Sequence, residues 1–314
     1  MSGPIERVRQ RARLLASIRA FFAARGVLEV TTPVLAAGVG TDPAIEPFVT
    51  RYQGPGGERT CYLQTSPEFH MKRLLAAGSG DIYQIMPVFR QGEVGRRHNP
   101  EFQLLEWYRL GFDHHRLMEE VAELVDQALE RTLPVEKCTY RELFQEHFGW
   151  DPLTAEPAQM EASARRHGLQ VAGSMTKDQW LDLLMATVVE PTLGHGRLCF
   201  VHGYPASQAA LARLDPQDPR LACRFELYLE GVELANGFHE LADADEQRAR
   251  FEADNAARRA AGQEELPLDE RFLQALASGL PDCAGVALGL DRLLMLRLGA
   301  SDLAQVLSFA FFDA

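Results

Sequence analysis

Apolar positions at Val8, Leu14, Leu15, Ile18, Phe21 and Phe22 recur among arginines at helical spacing, predicting a helix over residues 5 to 25 that stops at Arg25-Gly26. A short strand, Val27 to Val30, follows and ends at Thr31-Thr32-Pro33, because proline has no amide to give a ladder. Ser66-Pro67-Glu68 opens a second helix, serine as N-cap and proline in the first turn, closing near Gly78. Two strands are predicted over Asp81 to Phe89 and Glu101 to Leu110, and the connection Arg90 to Pro100 is too long for a tight hairpin. Residues 112 to 219 read as mostly helical, with a Thr139-x-x-Glu142 capping box and breaks at Pro134, Pro152, Pro157 and Pro191, and they carry no catalytic motif. Phe225 to Leu229 and Val232 to Ala235 form a hairpin about Glu230-Gly231, with a bulge expected at Asn236-Gly237. A charged helix from Ala244 to Gly262, a shorter one near Phe272, a glycine-bearing strand from Gly285 and a helix over Leu290 to Leu298 complete the chain.

Three of these elements carry candidate chemistry. Period-two alternation on the strand Glu101 to Leu110 puts Phe102, Leu104, Glu106 and Tyr108 on one face, overhung by Arg90, Arg96, Arg97 and His98. Such a face could stack a planar ring on Phe102 and pair a phosphate with Arg90, and the pattern equally fits a half-buried strand beside a solvated basic loop. In the hairpin, pairing Leu229 with Val232 sets Tyr228 opposite Glu233 and Glu226 opposite Ala235. Glu226 and Glu233 then become diagonal neighbours able to share a magnesium ion, whereas a three-residue turn would separate them. Beyond the expected bulge, Glu240 could meet an amine, or simply be exposed. The run Gly285 to Arg292 leads from strand to helix, where the helix dipole and Arg292 both favour phosphate, although its glycines also suit close packing.

Composition narrows the class. The 314 residues are 46% hydrophobic and 24% charged, an ordinary globular balance, without a secretory leader or a membrane-length apolar run. A bulk net charge of −12 argues against nucleic acid as a partner, since such affinity rests on Lys and Arg, although a local basic patch is compatible with it. Five scattered cysteines without a C-x-x-C pair disfavour a disulfide framework and a zinc site and fit a reducing cytoplasm.

Taken in order, these stretches resemble the three signature motifs of class II aminoacyl-tRNA synthetases, specifically the lysyl branch. Phe22-x-x-Arg25-Gly26-Val27-Leu28-Glu29-Val30-x-Thr32-Pro33 resembles motif 1, Phe89-Arg90 through Glu106-Trp107-Tyr108 motif 2, and Gly285 to Arg292 motif 3. The run Glu233-Leu234-Ala235-Asn236-Gly237-Phe238-His239-Glu240 is the most specific. Within that branch the chain is similar to short ligases that pass β-lysine to a lysine of elongation factor P. The resemblance implies an α+β core, mainly antiparallel sheet flanked by helices, as a single domain over residues 1 to 314 with a helical insertion at about 112 to 219 and no N-terminal anticodon-binding domain. It also implies a homodimer joined near Pro33, ATP and Mg2+ as cofactors, elongation factor P and β-lysine as partners, and no role for tRNA or a membrane.

By the resemblance, Arg90 would hold the α-phosphate and the substrate carboxylate, Phe102 and Arg292 would sandwich adenine, Arg292 would also meet the terminal phosphates, and Gln91, Gly92, Asn99, Glu233, Leu234 and Gly289 would line the ATP site. Glu226 and Glu233 bind magnesium; Ser66, Pro67, Glu68, Tyr108, Glu240 and Ala287 line the amino-acid pocket, Tyr108 and Glu240 meeting the distal ammonium. Two positions depart from the lysyl pattern: Gly92 replaces a glutamate that helps to recognise adenine, and Ala287 replaces a glycine, a methyl that would reshape the pocket floor for an amino group displaced by one carbon. A tRNA-charging enzyme and a non-catalytic amino-acid-binding regulator are the rival readings.

Overall fold

The computed structural model describes residues 4–171 and 173–314. Its main sheet has eight strands, numbered in chain order with the others: β1 (Leu28–Glu29), β5 (Ile82–Phe89), β6 (Glu101–Leu110), β7 (Val135–Thr139), β8 (Leu198–Pro205), β9 (Leu221–Leu229), β10 (Val232–His239) and β11 (Cys283–Gly289). They lie in the order β1-β5-β6-β11-β10-β9-β8-β7, antiparallel except for the marginal pairs β1/β5 and β7/β8. A small sheet of β2 (Leu35–Ala36), β4 (Gly57–Leu63) and β3 (Val49–Gly54) stands apart.

Nine helices surround the sheets: α1 (Pro4–Ala23), α2 (Glu68–Ala76), α3 (His114–Leu129), α4 (Tyr140–Phe148), α5 (Pro157–Arg166), α6 (Lys177–Leu184), α7 (Ala244–Ala260), α8 (Glu270–Gly279) and α9 (Leu290–Arg297), counted among the described residues. Strand alternation sends Leu105, Trp107, Val286, Leu288, Phe225 and Leu227 to one face, where α1, α3 and α9 bury them. Phe22 of α1 stacks on Tyr83 at 4.3 Å and meets Trp107 edge-on at 5.5 Å, so the predicted first helix is anchored by the aromatic end of its apolar stripe. The opposite face is left for polar side chains. On its flank, α2 and α8 pack through Phe69 and Phe272, stacked at 4.3 Å.

Several expectations need correction. Residues 112 to 219 are not simply helical: they also supply β7 and β8, which extend the main sheet at one edge. The first half of β8, Leu198 to Val201, is a short unbroken apolar stretch, a pattern that periodicity cannot distinguish from buried helix. The small sheet escapes sequence reading because β3 and most of β4 are exposed and polar, with no alternating face. Helix α2 is capped at Pro67, not Ser66, whose hydroxyl instead accepts from Glu68 N at 3.0 Å.

The hairpin turn is as expected: Glu230 and Gly231 both have positive φ, 53° and 66°, the conformation that a two-residue turn between twisted strands requires. Tyr228 faces Glu233, but an irregularity between Glu233 and Ala235 then sets Ala235 opposite Leu227 and Asn236 opposite Glu226. The bulge therefore precedes Asn236-Gly237, and Glu226 does not face Ala235. Glu226 and Glu233 keep a common face because the Tyr228–Glu233 pair lies on the turn side of the bulge.

Candidate active site

Register assembles the site. Strand β11 pairs Gly285 with Tyr108, Ala287 with Glu106 and Gly289 with Leu104, while β10 pairs Asn236 with Ala287 and Phe238 with Gly285. These residues, with Glu226, Tyr228 and Glu233 from the hairpin, therefore share the polar face. Two adjoining regions result, an acidic well and a cleft lined by arginines and carboxylates.

The well is built from β6, α2 and the end of β10. Glu106, fully buried, accepts from Ser66 Oγ at 2.8 Å and from Tyr108 OH at 2.7 Å. Burial first, and the charge of Glu68 next, push its carboxyl up to about 8. Glu240 is likewise buried and pushed up to about 7, again chiefly by burial, with Lys72 pulling the other way. Lys72, with no exposed surface, places Nζ 2.7 Å from Glu68 and 2.6 Å from Glu240. Burial alone would lower its pKa, but the two carboxylates outweigh that and hold the ammonium charged. Glu240 is thus already paired through one oxygen, and the other lies beside Gly285, where an added Cβ would come within 2.5 Å of it and 2.3 Å of the Tyr108 ring. Pro67 is buried at the head of α2, and Ala287 and Phe102 both pack against the cluster of Met86, Val88 and Leu104.

In the cleft, the Arg90 guanidinium lies 5.1 Å from the Phe102 ring centre and 3.7 Å from Glu93. Its Nε is buried without a hydrogen-bond partner, a donor free for an anion. Arg292, on the first turn of α9 after the Gly289 cap, donates to Glu233 O at 2.9 Å and Glu233 Oε2 at 3.2 Å and lies 2.9 Å from His98 Nε2. His98 is held below its ordinary range by burial and by the charges of Arg292 and Arg90, so both arginines bear on one spot. Gln91 is tied by its amide to Glu46 O at 2.7 Å, and Gly92 turns with φ 83° in the exposed loop. Asn99 spends its side chain on Glu101 O, 2.6 Å, and on the amide of Phe311, 3.2 Å. The Leu234 side chain belongs to the core on the opposite face, leaving only its backbone toward the cleft.

Glu226 accepts from Arg224 at 2.5 Å, Tyr204 at 2.7 Å and Tyr228. A third carboxylate, Glu190, comes from the segment that held no motif; Tyr228 OH donates to it at 3.4 Å. Burial raises Glu190 to about 7, reinforced by the charges of Glu226 and Glu233. Among the described residues these three carboxylates do not close into a preformed metal cage. Hard oxygen donors that repel one another nevertheless fit magnesium, which ordinarily takes one or two carboxylates and completes its shell with phosphate oxygens and water. Glu106, Lys72, Arg224 and Glu190 were absent from the sequence-derived site. Period-two alternation already aligned Glu106 with Tyr108, whereas Glu190 had no local signal at all.

The mainly antiparallel sheet, with this paired well and cleft on one face, is that of a class II synthetase catalytic core. The chain matches the family model of tRNA synthetases class II (D, K and N) over residues 5–312 and belongs to that family. An elongation factor P–(R)-beta-lysine ligase of Haemophilus influenzae strain PittGG is 50% identical over 315 aligned positions, covering 100% of this chain and 97% of that protein. A protein of the same name from Klebsiella pneumoniae subsp. pneumoniae is 49% identical over 312 positions, 98% of this chain and 96% of its own length. Among the described residues no helix is long and apolar enough to cross a membrane.

Proposed function

We propose that this chain is an ATP-dependent, AMP-forming ligase that activates (R)-β-lysine as its adenylate and transfers it to a lysine ε-amine of elongation factor P. The observation that carries the reading is the adjacency, on one sheet face, of a well with three buried or half-buried carboxylates and a cleft with two arginines. The full-length likeness to ligases of that name supports the choice of substrates.

The well suits a cation on a flexible stem. Lys72 neutralises one of the charges of Glu68 and Glu240, and Glu106 stays protonated near neutrality, so one net negative charge awaits the distal ammonium of a diamino acid. Arg90 would hold the substrate carboxylate beside the α-phosphate, Phe102 would stack the adenine, and Arg292 would cover its other side and the terminal phosphates. Magnesium, held by Glu233 with Glu226 and Glu190, would neutralise phosphate charge. The carboxylate oxygen attacks the α-phosphorus and pyrophosphate leaves; positioning and fixed charge supply most of the rate. The acceptor amine, ordinary pKa about 10.4, sheds its proton, attacks the acyl carbon and releases AMP.

The proposal includes the site roles above, a homodimer and a cytoplasmic location. Leu28 and Leu35, flanking the motif 1 proline, are about half exposed, as a subunit contact there would require. The five cysteines are free, in keeping with a reducing compartment. Incubation with ATP, magnesium, (R)-β-lysine and elongation factor P should add one β-lysyl mass to a single lysine of the acceptor. Charging of tRNA with no mass added to the protein would replace this reading with the tRNA-dependent one, and no lysine-dependent pyrophosphate exchange would replace it with a binding role.

A further inference from the structure

On the face of the sheet opposite the acidic well, three potential metal ligands meet that the sequence keeps far apart. His114 opens α3, Cys223 lies near the start of β9 and His239 ends β10. Their ligand atoms, one from each residue, all lie within 4.8 Å of one another. Among the described residues no other three His, Cys, Asp or Glu side chains gather so closely. We propose that His114, Cys223 and His239 form a zinc-class divalent metal site, distinct from the magnesium of the nucleotide cleft.

Four further features favour a ligand there. His114 is 92% buried, from an exposure of 8%, and its Nδ1 is enclosed with no hydrogen-bond partner, a costly omission for an imidazole unless something binds it. His239 Nε2 lies 2.9 Å from Asp282 Oδ1, which leaves Nδ1 as the free ring nitrogen. A carboxylate on the far nitrogen of a ligating histidine is the usual outer partner, fixing its tautomer and raising its basicity. Asp282 is held in turn by Arg213 at 2.7 Å, so that partner is itself oriented. Finally, the backbone frame is fixed, because Arg213 bridges the two strands, donating to His239 O at 2.9 Å and accepting from Cys223 N at 2.9 Å.

Two imidazoles and one thiolate, with water in the fourth position, are a donor set that zinc takes readily. Tetrahedral zinc, with bonds of about 2.0–2.3 Å, needs ligand atoms roughly 3.3–3.8 Å apart, so the three side chains close by about 1 Å on binding. The Cys223 thiol gives up its proton to solvent as the sulfur–metal bond forms. The bound ion would pin the first turn of α3 to β9 and β10, one residue from Glu240. Scattered cysteines without a C-x-x-C pair disfavour a zinc site by sequence, and this assembly of distant residues departs from that expectation. Here the donors come from a helix start and two strand ends.

Titration of the demetallated full chain with Co2+ tests the site. One equivalent should bind with a thiolate-to-cobalt charge-transfer band in the near ultraviolet, a band that Co2+ on the oxygen ligands of the cleft cannot give. Zinc should displace it. Cys223→Ser and His114→Ala should each abolish the band while circular dichroism shows a native fold. Absence of the band in folded wild-type protein, or its survival in either variant, would overturn the assignment. Should both variants fail to fold, X-ray absorption at the zinc edge of the loaded wild-type chain decides: one sulfur and two imidazoles are expected, and a shell without sulfur refutes the site.

Discussion

Among the carboxyls of the site, Glu106 is the one that the fold raises furthest. Its carboxyl is raised from an ordinary 4.5 to about 8, by burial first and by Glu68 next. A carboxyl with a raised folded pKa supports folding while neutral; that contribution is complete below pH 4.5 and is lost as pH climbs through 8. Glu106→Gln, permanently neutral, should therefore gain stability relative to the parent as pH rises from 5 to 9, by on the order of 1 kcal/mol or more. Thermal melts across that range check it, and a difference that does not change with pH would contradict the account. The same variant should raise KM for the amino acid by roughly 3- to 10-fold, because the amide cannot accept from both Ser66 and Tyr108 as the carboxyl does on the wall of the well. Glu190 bears on the other region. With its carboxyl raised to about 7 by burial and by two acidic neighbours, Glu190→Gln should shift the magnesium dependence of pyrophosphate exchange to about 10-fold higher concentration while leaving KM for the amino acid unchanged.

Among the elements, β11 leaves least room for change. A methyl at Gly285 would press within 2.3 Å of Tyr108 and 2.5 Å of Glu240, both buried and unable to retreat. Gly285→Ala should cost about 1–3 kcal/mol and close the well, so amino-acid-dependent exchange fails while ATP binding, measured by calorimetry, survives. Helix α4 offers a contrast remote from chemistry. Its capping box, Thr139 Oγ1 to Glu142 N at 3.1 Å with the reciprocal Glu142 to Thr139 N at 2.8 Å, is the one read in the sequence. Thr139→Ala should lower stability by about 1 kcal/mol in denaturant melts with activity unaltered. Elements of this kind were legible because their signals are local. Caps, a two-residue turn and an alternating face each depend on a few adjacent residues. Leu198 to Pro205 was misread because its short apolar stretch, Leu198 to Val201, carries no period, and the bulge was misplaced because an extra residue within a strand leaves no compositional mark unless a glycine makes it.

At the scale of the whole molecule, Arg90 directly follows β5 and Arg292 lies in the first turn of α9, about two hundred positions later, yet both bear on His98. Adenylation requires that convergence. Arg292→Ala should reduce pyrophosphate exchange by at least about 100-fold, and Arg292→Lys should not restore it, since a single ammonium cannot reproduce the guanidinium contacts with Glu233 and His98. From the chain alone came the catalytic strands, their facing directions, the hairpin turn and the motif runs, because backbone preference and side-chain alternation act over a few residues. Only the tertiary structure decided that Lys72 shares the well with Glu68 and Glu240, that Glu190 reaches Glu226 and Glu233, and that His114, Cys223 and His239 meet behind them. Those encounters depend on strand order and on how distant segments pack, and a few ångströms of separation between side chains has no counterpart in sequence spacing.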